Sequence, residues 1–120
     1  MKIENIKFKA KRLDNGEWVI GSLIKNTTRI KERAYIVDNF SSMSDYSVIG
    51  VDPSTICLFT GLKDKNGTPI YEGDIVTDDV RKGAINWNSK FSAFCFGNAS
   101  LYYFPSENMV VVGNTFDKEK

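Results

Sequence analysis

Apolar Ile6, Phe8 and Ala10 alternate with Lys7, Lys9 and Lys11, and a period of two puts one set on each face of a strand. The opening of the chain therefore predicts a strand with one buried and one wet face. Asp14, Asn15 and Gly16 follow, residue types suited to a tight turn. Trp18, Val19, Ile20, Leu23 and Ile24 then resume the apolar series, so residues 3–24 predict a β-hairpin.

Ala34 to Val37 and Val48 to Val51 predict two further strands, separated by the Ser-rich stretch from Phe40 to Ser47, which has loop composition. The segment from Asp52 to Gly61 supports two readings. Asp52 suits an N-cap, Pro53 the first helical position and Gly61 a terminator. Its β-branched and aromatic content favours extended chain instead.

Lys65-Asn66-Gly67 is a tight-turn signal, and Ile70-Tyr71 starts a return segment that ends at Glu72-Gly73. Asp74 to Val76, Gly83 to Trp87, Phe91 to Phe96, Leu101 to Phe104 and Met109 to Val112 then predict a β-meander across 74–116. No helical period holds for three turns. The expected fold is mainly β: a small single domain, 1–120, of antiparallel strands with a barrel-like C-terminal half and little helix.

Composition narrows the function. A chain of 120 residues with 42% hydrophobic and 26% charged residues is ordinary for one globular domain. No apolar run approaches the roughly 20 residues of a membrane span, and the first residues lack the apolar stretch of a secretory signal. The expected compartment is the cytoplasm, where Cys57 and Cys95, each in an apolar stretch, remain buried thiols. Residues 1–33 hold nine Lys and Arg against four Asp and Glu, whereas residues 34–120 hold seven against eleven. Such asymmetry suits attraction between segments, within one chain or between copies in a homo-oligomer.

Candidate chemistry is sparse. The absence of histidine removes the commonest general base and the imidazole metal ligand, so no catalytic residue, cofactor or metal site is expected. The acidic group Glu72, Asp74, Asp78 and Asp79 reads as a loop rim, and a carboxylate enzyme built on Asp74 or Glu72 is a minor alternative. The run Asp64 to Gly67 departs from a calcium loop, because position twelve is Ile75 where a glutamate is required. Lys7, Lys9 and Lys11 with the adjacent Arg12, and a second row of Arg29, Lys31 and Arg33, suit phosphate contacts; Trp18, Trp87, Tyr102 and Tyr103 suit base stacking. Solvated strand faces also favour lysine.

The segment from Phe59 to Val76, FTGLKDKNGTPIYEGDIV, resembles the signature of the YopX family of phage and prophage proteins. The N-terminal Ile6 to Ala10 and the C-terminal Val111 to Asp117 resemble that family's flanks. Within 54–76 the resemblance rests on Thr60, Gly61, Leu62, Asp64, Asn66, Gly67, Ile70, Tyr71, Gly73, Asp74 and Val76. It implies a β-rich protein with no assigned activity, in which these residues are architectural, and it carries no site residues over. The Gly73-Asp74-Ile75-Val76 start with Gly83, Ile85 and Trp87 also resembles the opening hairpin of SH3-like barrels. The expected function is a non-enzymatic accessory protein that binds an unknown host or phage protein, with nucleic-acid binding through Lys7, Lys9, Lys11 and Arg12 as the alternative.

Overall fold

The computed structural model describes residues 2–27, 32–39 and 46–117. The chain forms two compact units, 1–58 and 59–120. Among the described residues, the only helical elements are 3-10 turns of three residues, so the mainly β expectation holds. No helix among the described residues is long and apolar enough to cross a membrane.

In the N-terminal unit, β1 (Phe8–Lys11), β2 (Trp18–Thr27), β3 (Glu32–Asn39) and β4 (Tyr46–Val51) pair antiparallel in the order β4-β3-β2-β1. The predicted hairpin forms, with Lys11 opposite Trp18 and Lys9 opposite Ile20. Residues 3–5 are a 3-10 turn, and the strand begins at Phe8. The stretch from Phe40 to Ser47 lies mostly outside the described residues, as do Arg29 and Lys31. Register places Phe8, Ala10, Val19, Leu23, Ala34, Ile36, Ile49 and Val51 on one face, where they form the unit's core with Ile56.

Strand β2 serves two partners in succession: residues 18–21 pair with β1 and residues 22–27 with β3. Gly21 sits at the changeover, where the backbones approach closely. A Cβ there would lie 2.1 Å from the Val37 carbonyl oxygen, so only glycine fits this crossing.

The extended reading of 52–61 prevails. The helical one survives only as a three-residue turn after Asp52. Gly61 lies inside a strand and terminates no helix, because the β-branched and aromatic residues before it pair in a sheet. Asp52 caps a 3-10 turn at Pro53–Thr55 by accepting the Ser54 N–H at 3.0 Å. Strand β5 (Cys57–Lys63) follows, with Leu58 and Cys57 paired to Phe8 and Lys9 of β1. Cys57 and Cys95 are both buried, as their apolar settings predict.

In the C-terminal unit the end of β5 pairs with β6 (Pro69–Tyr71). A second antiparallel sheet contains β7 (Asp74–Thr77), β8 (Lys82–Asn88), β9 (Ala93–Phe96), β10 (Ala99–Ser100) and β11 (Val110–Asn114), in the order β10-β9-β8-β7-β11. The β7–β8 hairpin is present, with Ile75 opposite Ala84. The barrel-like expectation is corrected: the sheet is not a closed barrel. It ends at β10 and β11, which pair only with β9 and β7 among the described residues, and a two-residue β10 offers too little backbone to close a ring. Leu101–Tyr103, expected as strand, is a 3-10 turn. Ile70, Val76, Ile85, Phe96, Leu101 and Met109 form this unit's core.

Candidate functional site

The two aspartates of the glycine-rich segment, Asp64 and Asp74, are the first candidates for chemistry, and both serve the scaffold. Asp64 is buried. Its Oδ1 accepts the main-chain N–H of Asn66 at 2.8 Å and of Thr68 at 2.9 Å, and its Oδ2 accepts that of Val111 at 2.9 Å. Burial pushes this carboxyl up. The N–H groups of Val111, Thr68 and Asn66, with the Lys65 charge, outweigh that and hold it below the usual carboxylate range. One side chain thus closes the 64–68 turn and ties it to β11.

Asp74, also buried, accepts the N–H of Tyr71 at 2.8 Å and the Nδ2 amide of Asn114 at 2.9 Å. Asn114 Oδ1 in turn accepts the N–H of Phe116 at 2.8 Å. The Gly73 carbonyl takes both the N–H and the hydroxyl of Thr115. Asp74 therefore joins its own turn to the C-terminal segment. Tyr71 lies beside it, its ring tilted against Phe59. Burial, and then the Asp74 charge, push its phenol up to about 12.

The remaining segment residues have backbone or core roles. The Thr60 hydroxyl donates to the Ile70 carbonyl at 2.7 Å, and Gly61, at φ +88°, stands where the β5–β6 register shifts. Gly67 and Gly73 also take positive φ, while Ile70 and Val76 are wholly buried and Leu62 sits at the surface. Glu72, Asp78 and Asp79 do not join Asp74 at one point: no cluster of three potential metal ligands occurs among the described residues. Asp78 instead accepts the N–H groups of Val80 and Arg81 in the β7–β8 turn.

The basic row is only partly assembled. Lys9 and Lys11 lie on one face of β1, and each places its Nζ over the Trp18 ring, at 4.8 and 5.4 Å from the centroid. Lys7 precedes the strand. Arg12 forms a two-pronged pair with Asp14 at 2.9 and 2.8 Å, an arrangement that engages its guanidinium fork. Arg33 is exposed on the same sheet face, opposite Asn26.

That face holds what the sequence reading missed. Register puts Trp18, Ile20, Ile24, Tyr35, Val37 and Val48 on the side opposite the core. Ile20, Ile24 and Val48 are each about half exposed, at 48%, 47% and 53%. A signal was present: in 18–24 the apolar residues occupy both parities of the strand, as a sheet apolar on both faces requires.

The fold and these contacts define a small antiparallel β protein whose glycine-rich segment is a structural clasp. The chain matches the family model described as YopX protein over residues 7–119, and it belongs to that family. No curated protein and no solved structure matches it.

Proposed function

We propose that this YopX family member is a non-enzymatic accessory protein of phage or prophage origin. It acts in the bacterial cytoplasm by docking a host or phage protein on the outer face of its N-terminal sheet. The observation that carries this reading is the apolar strip Ile20, Ile24 and Val48, held in water with Tyr35 and Val37 between. Exposed contiguous apolar surface weakens solubility and is characteristic of interaction sites. The non-enzymatic part is supported by the carboxylates: Asp64 and Asp74 are engaged with N–H donors inside the fold.

Nucleic-acid binding is the second reading, favoured by Lys9 and Lys11 over the Trp18 ring. The strip itself argues for protein, because its exposed members Ile20, Ile24 and Val48 are aliphatic and offer no flat surface on which a base can stack. The test is affinity capture from host and phage-infected lysates, comparing the wild type with Ile24→Asp/Val48→Asp. The expected result is a protein retained by the wild type and lost from the variant, whose thermal unfolding stays cooperative. Equal retention by both would overturn the reading.

A further inference from the structure

A second surface, wholly within the C-terminal unit and independent of the sheet face, is built around two aromatic walls. Phe91 stands in the β8–β9 turn. There Asn88 Oδ1 accepts the N–H groups of Lys90 and Phe91 at 2.9 and 3.1 Å, and Ser92 takes a left-handed φ of 51°. Tyr103 stands on the 3-10 turn Leu101–Tyr103. Leu101 is buried in the core, the Ser100 hydroxyl accepts the Tyr102 N–H at 3.3 Å, and Phe104 N–H closes the turn on the Leu101 carbonyl. Anchoring Leu101 inward turns its neighbours outward: Tyr102 is 89% exposed and Tyr103 74%, while Phe91 is 56% exposed. These rings are displayed by hydrogen-bonded turns.

Between Phe91 and Tyr103 runs a groove of about 400 Å³, lined otherwise by Ala93, Asn98, Ala99 and Ser100. Its volume falls within the range of ligand sites. Not one charged side chain lines it, although 26% of the sequence is charged. A charged occupant would lose hydration here without a countercharge in return, so the groove selects an uncharged ligand.

We propose that this groove binds an uncharged polyproline II segment of a partner polypeptide. Two aromatic rings and two alanines in one lining supply apolar slots for pyrrolidine rings. A polyproline II chain arrives preformed and has no internal backbone hydrogen bonds to surrender. Strand addition is the poorer fit, since β10 has two residues and passes straight into the 3-10 turn, leaving almost no edge to pair. A neutral sugar fits less well too. Its many hydroxyls require several convergent polar side chains, whereas this groove offers the Asn98 amide and a Ser100 hydroxyl already holding the Tyr102 N–H.

The test is a two-dimensional ¹⁵N–¹H NMR titration of the full chain with decaproline, repeated with maltohexaose and with the Tyr103→Ala and Ala99→Glu variants. Both substitutions are at exposed positions. The expected result is saturable shifts confined to residues 91–103 with decaproline, at least about tenfold weaker binding in either variant, and unshifted resonances elsewhere. Unmoved groove resonances at millimolar decaproline, undiminished binding by both variants, or stronger shifts with maltohexaose would each overturn the proposal. Failure here leaves the sheet-face test unaffected, because that test reads Ile24 and Val48 in the other unit.

Discussion

The carboxylate of Asp64 accepts the main-chain N–H of Val111 at 2.9 Å, across 47 positions of sequence. With the N–H groups of Asn66 and Thr68 on its other oxygen, this one side chain fastens the glycine-rich turn to β11. An amide in its place presents a donor toward one of these N–H groups. Asp64→Asn is therefore expected to cost about 3 kcal/mol. The sign of the pH effect follows from the lowered folded pKa. The stabilisation is whole above the unfolded value near 3.9 and is lost as pH falls through the folded value. Urea midpoints measured in steps from neutral to strongly acidic pH should fall in acid for the wild type and less steeply for the variant. Parallel curves would show that Asp64 is not the responsible group.

Tyr71 gives the opposite limb. Its folded phenol titrates at about 12, above the unfolded value near 10. The folded state therefore keeps its proton longer, and stability is lost as pH rises between those values. Tyr71→Phe retains the buried ring and should flatten the alkaline decline in unfolding midpoint. An unchanged decline would place its origin elsewhere.

Two glycines separate lack of space from backbone strain. At Gly21 a Cβ meets the Val37 carbonyl oxygen, whereas Gly16, at φ +72°, has nothing within 4 Å of its Cβ position. Gly21→Ala should cost about 3 kcal/mol, because backbone must move. Gly16→Ala should cost about 1–2 kcal/mol, the penalty of left-handed conformation alone. Chemical denaturation of the two variants measures both, and equal losses would contradict the crossing assigned to Gly21.

Much of this architecture is legible where side-chain period and turn chemistry agree. Alternation from Phe8 to Lys11 and the Asn15-Gly16 turn yield the hairpin, and Asn66-Gly67 and Gly73-Asp74 fall at real turns. The sequence misleads where a local hydrogen bond overrides β-propensity. Leu101–Tyr103 is apolar and aromatic enough for a strand, yet the Ser100 hydroxyl caps a turn there. Phe91 precedes β9 because Asn88 captures its N–H. Long-range partnerships are illegible in principle: nothing near Asp74 announces Asn114, 40 positions away. The outer apolar face is half legible, since apolar residues at both parities of β2 mark it but which strands flank it depends on the sheet order.

For the nucleic-acid reading, oligothymidylate is the probe. The expected outcome is no binding that falls with ionic strength, and a stability loss of about 1 kcal/mol in Lys9→Glu/Lys11→Glu as both contacts with Trp18 are removed. Tight low-salt binding that collapses with added salt and disappears in that variant would move the function to nucleic acid.

Docking of a polypeptide on the solvent-held strip of the N-terminal sheet is the function proposed for this chain. The most direct test places a photo-crosslinking amino acid at Ile24 in the protein expressed in a bacterial host, with the exposed turn residue Asn15 as the control position. The expected result is a discrete ultraviolet-dependent adduct at Ile24 that protease removes and nuclease does not, with no such adduct at Asn15. An adduct sensitive to nuclease, one equally strong at Asn15, or none at Ile24 would contradict it.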